Sequence, residues 1–251
     1  MGAILKYLEQ VAQERGAGHL ALLDPDRLAV EELERRAVLC AEAGADALLV
    51  GTSLVFSSKY AAFFERIKHQ VDIPVISFPG GASQVTSTAD AILFLSMISG
   101  RNAELLIGQQ VKAAPLLKEF NVEIISTGYM LIDSGTLTSV EFMSNTRPIP
   151  RDKYDIAMAH ALAAEYIGMK MVYLEAGSGA EKSVPDEMVR TVVDYISLPV
   201  IVGGGIRDPQ TARAKVEAGA SFVVTGNVVE GERELLGQRL RELSAAVHVK
   251  G

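Results

Sequence analysis

One cysteine, Cys40, stands in a chain of 251 residues, so no disulfide can close within it. It falls inside the helical pattern "VEELERRAVLCAEAG", where the expected role is a small buried apolar side chain. The basic excess of a general nucleic-acid binder is also missing. Lys and Arg number 24 against 31 Asp and Glu, net charge is −7, and the two signs are interleaved. Nucleic acid is therefore not an expected partner. Long hydrophobic runs are absent: the longest, "AILFLSMI" (91–98), falls far short of the roughly 20 residues a spanning helix needs. The start, "MGAILKYLEQVAQERGAG", carries charges through its apolar stretch and has no signal-peptide core, and Lys6 breaks the myristoylation pattern. A soluble, cytoplasmic protein without a transmembrane segment is expected. The four histidines (His19, His69, His160, His248) show neither metal-ligand nor triad spacing, so core or surface roles suffice for them.

What the chain has in quantity is short apolar runs, with 49% of its residues hydrophobic. Strands are expected at 19–24, 47–52, 74–80, 91–97, 122–131, 171–177, 199–205 and 222–227. Helix-like segments lie between them at 31–43, 59–70, 104–119, 154–168, 186–196 and 208–218, with a last one at 231–246. The third crossover, 81–90, has room for only a short turn of helix. Continuous rather than alternating apolar strands mean burial on both faces, as in parallel sheets. Eight strands with such connections predict an α/β fold, a single-domain (β/α)8 TIM barrel over 1–251. A doubly wound open sheet has the same element order. One connection is oversized: "DSGTLTSVEFMSNTRPIPRDK" (133–153) is an insertion of the length usually kept for function or disorder.

The polar features fall at strand ends. Three glycine-rich openings follow the last three strands: "YLEAGSGAEKS" (173–183), "VIVGGGIRDP" (200–209) and "FVVTGNVVE" (222–230). Glycines let backbone N–H groups approach an anion, and barrels commonly bind phosphate in the loops after strands 7 and 8. Tight turns alone are the other reading, and for Asp208 and Pro209 the helix-start role is the expected one. Asp24 closes the first strand in "LLDPD", where an isolated carboxylate can hold Mg²⁺ beside a substrate phosphate. Asp26 is expected to start the turn. Thr52 and Ser53 end the neighbouring strand, as caps or as ligands. Glu175 sits between its strand and the glycine turn, placing a carboxylate by the ligand's polar end or, alternatively, in a structural ion pair.

Taken together, "LLDPD", "VGTS", "YLEAGSGA", "VGGGIRDP" and "VVTGN" resemble the geranylgeranylglyceryl phosphate synthase family, in the family's order and from Asp24 to about Glu230. That resemblance implies a TIM-barrel prenyltransferase joining sn-glycerol 1-phosphate to a long-chain prenyl diphosphate, the first ether bond of archaeal lipids. It implies Asp24 and Ser53 as magnesium ligands. The glycerol-phosphate segment would be Tyr173, Leu174, Glu175, Ala176, Gly177, Ser178 and Gly179, completed by Gly204, Gly205, Gly226 and Asn227. Glu175 would position or deprotonate the glycerol hydroxyl, with Tyr129, Phe142 and Met143 among the linings of a prenyl trough. The related bacterial heptaprenylglyceryl phosphate synthases usually carry a lysine two residues before the aspartate; Leu22 stands there, which favours the geranylgeranyl branch. The 133–153 insertion resembles that branch's oligomeric group, implying a homo-oligomer, with room for transient contact with a membrane surface. The rivals are a phosphosugar isomerase or cyclase on a similar barrel and a non-catalytic phosphate-binding barrel.

Overall fold

The computed structural model describes residues 2–53, 60–231 and 233–250. An element not anticipated above, α1 (Ala3–Arg15), precedes the barrel. Its Leu5, Leu8 and Val11 recur at helical spacing and are buried together. The Glu123 carboxylate accepts the N–H groups of Ile4 and Leu5 at 2.8 Å each, satisfying two donors at the helix start.

Then come β1 (Gly18–Leu23), α2 (Val30–Glu42), β2 (Ala47–Val50), α3 (Tyr60–Lys68), β3 (Val75–Ser77) and β4 (Ala91–Ser96). The chain continues through α4 (Gln109–Phe120), β5 (Glu123–Leu131), α5 (Ser139–Ser144), α6 (Tyr154–Ile167), β6 (Met171–Glu175) and α7 (Asp186–Tyr195). It ends with β7 (Val200–Gly203), α8 (Pro209–Glu217), β8 (Phe222–Thr225) and α9 (Arg233–Val247). The strands form a closed parallel barrel in sequence order, β8 pairing back onto β1, so the expected eight-stranded barrel is the fold and the open sheet is not. The weak third crossover holds only a 3₁₀ turn, Ala82–Gln84. The 133–153 segment carries α5, and a five-residue π-helical segment, Glu104–Gly108, leads into α4. Residues 59 and 232, inside the expected helices 59–70 and 231–246, lie outside the described residues.

Alternation along each strand sorts the side chains into layers. Leu20, Leu49, Ile76, Leu93, Ile125, Tyr173, Ile201 and Phe222 fill the interior, together with Leu5 and Leu8 of α1. Their neighbours Leu23, Val50, Ile92, Leu174, Val202 and Val223 face the helices. Each such fully buried side chain contributes about 1.5–3 kcal/mol relative to exposure. Two of the histidines are held in structural contacts. The buried His19 ring sits 2.8 Å from both Thr225 Oγ1 and Ser244 Oγ, and burial lowers its pKa to about 4. His248 pairs with the buried Asp46 at 2.8 Å. Cys40 is buried as expected, its thiol pushed up to about 12 by burial.

Candidate active site

At the C-terminal ends of the strands lies a cavity of about 280 Å³. Strand alternation decides what β6 offers it. Tyr173 and Glu175 line the cavity, whereas Leu174 packs among Met130, Val202 and Val223 on the helix side, and the Ala176 side chain is buried with it. From the expected segment 173–179, Leu174 and Ala176 thus have only backbone to give a ligand at this site.

Glu175 is 5% exposed, and its Oε1 accepts the N–H of Gly177 at 2.6 Å. Burial raises its pKa to about 7, against the opposing pull of the Gly177 N–H. Tyr173 Oη lies close enough to lower that pKa slightly, but no hydrogen bond of sound geometry joins the two, and this buried phenol has no partner. A buried polar atom without a partner is unusual in a finished core and points to a ligand group. Around it, the Tyr173 ring stacks on Phe78 with centroids 5.4 Å apart and meets Tyr129 at 5.3 Å. Burial, then the charge of Glu175, holds both tyrosine hydroxyls neutral.

The glycine turns form the polar wall. Gly177, Gly179, Gly204 and Gly205 all have positive φ, from 70° to 99°. Gly204 shows why: a Cβ there would stand 2.6 Å from Gly177 N and 2.8 Å from Ala176 N, and would also collide with Glu175 Oε1. Two amides of the first turn already have side-chain acceptors, Gly177 N in Glu175 and Gly179 N in Asn227 Oδ1 at 3.1 Å. Ser178, Gly204, Gly205, Gly226 and Asn227 line the cavity. Gly226 has an ordinary φ, and a Cβ there would meet Leu22 only at van der Waals distance, 3.4 Å. Asp208 caps α8 by accepting Thr211 N at 2.8 Å, with Pro209 at the first position, the structural role expected of both.

Asp24 and Ser53, from the ends of β1 and β2, line the same cavity. Asp24 is partly exposed, and its Oδ1 accepts Asp26 N at 3.0 Å while Arg27 approaches Oδ2 at 3.5 Å. The Asp24 carboxylate thus helps to close this turn. Among the described residues no group of three His, Cys, Asp or Glu could hold a metal. One carboxylate and one hydroxyl are nevertheless a fitting set for Mg²⁺, which takes few protein oxygens and fills its shell with water and substrate phosphate. Sequence reasoning missed Glu230, in the loop after β8, which lines the cavity and lies within 4.0 Å of Arg27. Burial raises its pKa, and Arg27 lowers it.

Much of the rest of the wall is apolar, with Val85 before β4 and Phe94, Leu95, Met97, Leu105 and Ala113 from β4 through α4, although Gln109 and Gln110 of α4 line it as well. Tyr129 and Met143 join it as expected. Phe142 does not. On α5, Val140, Met143 and Ser144 share one face and line the cavity, which leaves Phe142 on the other face and 72% exposed.

Comparison with known proteins follows this geometry. Residues 9–246 match the profile of the PcrB family. A geranylgeranylglyceryl phosphate synthase of Chitinophaga pinensis is 47% identical over 90% of this chain and 88% of its own. Another, from Methanopyrus kandleri, is 45% identical over 90% and 94%. The crystal structure of (S)-3-O-geranylgeranylglyceryl phosphate synthase from Thermoplasma acidophilum, in complex with its substrate sn-glycerol-1-phosphate, superposes with a TM-score of 0.92 at 35% identity, covering 99% of both chains.

Proposed function

Since the chain belongs to the PcrB family, we propose that it is a prenyltransferase that moves a geranylgeranyl group from geranylgeranyl diphosphate to the 3-hydroxyl of sn-glycerol 1-phosphate. The product carries the first ether bond of archaeal-type lipids. The observation that carries this reading is Glu175, a buried carboxylate with a pKa near 7 held between a glycine cradle and an aromatic, apolar chamber. The bound sn-glycerol-1-phosphate of the Thermoplasma acidophilum enzyme supports the acceptor.

The glycerol phosphate sits with its phosphate on the turns at 177–179, 204–205 and 226–227, and its 3-hydroxyl toward Glu175. The hydroxyl oxygen bonds to the allylic carbon as the carbon–diphosphate bond breaks, diphosphate leaves, and Glu175 takes the hydroxyl proton. Tyr173 Oη, otherwise unpartnered, is placed to hydrogen-bond the glycerol. The faces of Phe78, Tyr129 and Tyr173 favour positive charge developing on the allyl group. Asp24 and Ser53 would hold Mg²⁺, which when bound would neutralise charge on the departing diphosphate. About 280 Å³ lies at the lower end of ligand pockets, so a long prenyl chain runs out along the apolar side between β4 and α4. A phosphosugar isomerase would want a second acid at the end of β5. The first one there, Asp133, is outside the cavity and holds Gly135 N at 2.8 Å.

The test is a mass-spectrometric assay with sn-glycerol 1-phosphate and geranylgeranyl diphosphate, with and without Mg²⁺. The ether product is expected only with Mg²⁺; its absence under both conditions overturns the reading. A second expectation concerns the cradle. Gly204→Val places a β-branched residue at φ 81° and drives Cβ into two amides, so affinity for sn-glycerol 1-phosphate falls on the order of 10²-fold. Ser178→Ala removes only a side chain and leaves the main-chain donor, so it binds nearly as wild type. Equal calorimetric affinities for wild type and Gly204→Val would exclude a main-chain phosphate site there.

The protein is further proposed to work from the cytoplasm as a homo-oligomer, meeting a membrane surface only transiently. No helix among the described residues is long and apolar enough to cross a membrane. Ile156, Tyr166 and Ile167 of α6 and Tyr195 of α7 are exposed, an apolar group suited to a second copy. Light scattering at micromolar concentration is expected to give a multiple of 26.9 kDa; a single species at that mass refutes the oligomer.

A further inference from the structure

The turn after β6 is tied by a bond of its own and by three from two other loops. Ala180 N donates to Gly177 O at 3.1 Å, which closes the turn itself. Gly179 N donates to Asn227 Oδ1 at 3.1 Å, from the loop after β8. Arg207, from the loop after β7, donates through Nη2 to Ala180 O at 2.5 Å and Gly179 O at 3.3 Å. All three loops of the cradle therefore meet at Gly179 and Ala180.

We propose that Arg207 is a positioning residue for phosphate recognition, holding the carbonyls of Gly179 and Ala180 and thereby fixing the turn that presents Ser178 to the cavity and to the anion. The proposal rests on the reading of these turns as the glycerol-phosphate site. Its physical basis is the peptide plane, in which C=O and N–H point in opposite directions. A plane free to rotate can aim a carbonyl dipole at the phosphate and repel it. Arg207 fixes the two planes that follow Gly179 and Ala180, while Asn227 fixes the amide before them. Gly177 and Gly179, with φ of 99° and 76°, are residues whose backbone would otherwise have wide freedom.

Arg207 is itself exposed, so its charge is screened by salt and a simple attraction for the anion is weak. What distinguishes arginine here is its planar, multi-donor head reaching two carbonyls from one nitrogen. Lysine keeps the charge but presents a flexible point donor. The two roles thus separate: an electrostatic role is retained in Arg207→Lys, and a bracing role is largely lost.

The test combines amide hydrogen exchange over residues 177–182 of the ligand-free protein with calorimetry and steady-state kinetics, for wild type, Arg207→Gln and Arg207→Lys. Both variants are expected to exchange faster in that segment. Affinity for sn-glycerol 1-phosphate falls about tenfold, the scale of one or two charge-assisted hydrogen bonds. KM for it rises correspondingly while kcat stays within about twofold, as loss of ground-state positioning requires. Unchanged exchange overturns the brace. Arg207→Lys behaving as wild type in all three measurements overturns it in favour of charge. Faster exchange with unaltered affinity overturns the link to recognition. Wild-type protein that fails to bind sn-glycerol 1-phosphate overturns the site reading itself, a failure distinct from unchanged exchange.

Discussion

Glu175→Gln is expected to lower kcat by about 10²–10⁴-fold, the range for loss of a general base, with KM for sn-glycerol 1-phosphate little changed. Glutamine keeps the shape and one oxygen to accept the Gly177 N–H, so the turn that Glu175 organises survives. What disappears is the basic site for the glycerol proton. If the carboxylate only held the glycerol, the loss would appear in KM. The pH dependence gives a second view. Burial raises the pKa to about 7, and the base is competent only when ionised, so activity rises with pH through about 7 and the acid limb vanishes in the variant.

Stability runs the other way with pH. A carboxyl whose pKa rises from 4.5 unfolded to about 7 folded favours the fold fully below 4.5 and loses that contribution as pH climbs through 7. The loss is on the order of 3 kcal/mol. Glutamine does not titrate. The melting temperature of Glu175→Gln minus that of wild type is therefore expected to grow by several degrees between pH 4.5 and pH 8. A residue kept for structure would instead leave the variant less stable across the whole range. Steady-state kinetics and thermal melts at those two pH values separate the cases.

The parts of this molecule legible in the sequence are those whose signal is local. Strands such as "MVYLE" and "FVVT" are buried on both faces, so their apolar runs announce themselves. The glycines with positive φ are visible for the same reason, since no other residue would be used so densely. α1 was readable from Leu5, Leu8 and Val11, but its charged face obscured the pattern. Phe142 misled because α5 has only six residues, too few for periodicity to say which face is inside. Leu174 belongs to the segment that the resemblance implies, but its side chain turns to the helix side, as alternation along a strand requires. Glu230 and Arg207 had no local signal at all. Their meaning lies in contacts between loops brought together by barrel closure.

Asp24→Asn is expected to reduce Mg²⁺-dependent turnover on the order of 10³-fold, the kinetic equivalent of several kcal/mol of lost charge stabilisation on the diphosphate. Asparagine preserves the volume and an oxygen for Asp26 N, and Asp24 is only partly buried, so the β1 turn and the fold persist. The charge is what is removed. Asp24 leaves from the end of β1, whereas the cradle is built by the loops after β6, β7 and β8, so the sites proposed for the two anions draw on different loops of one cavity. Without Mg²⁺, affinity for sn-glycerol 1-phosphate is therefore expected to stay the same or rise slightly at low salt, because one negative charge has left the neighbourhood of an anion. Titration calorimetry in chelator checks this sign. Arg27, which Asp24 and Glu230 share, would be left to Glu230 alone and cannot replace the lost ligand, being a donor without an acceptor. A variant that retains turnover removes Asp24 from the metal's ligands. One that loses glycerol-phosphate binding in chelator assigns Asp24 to the acceptor's site instead.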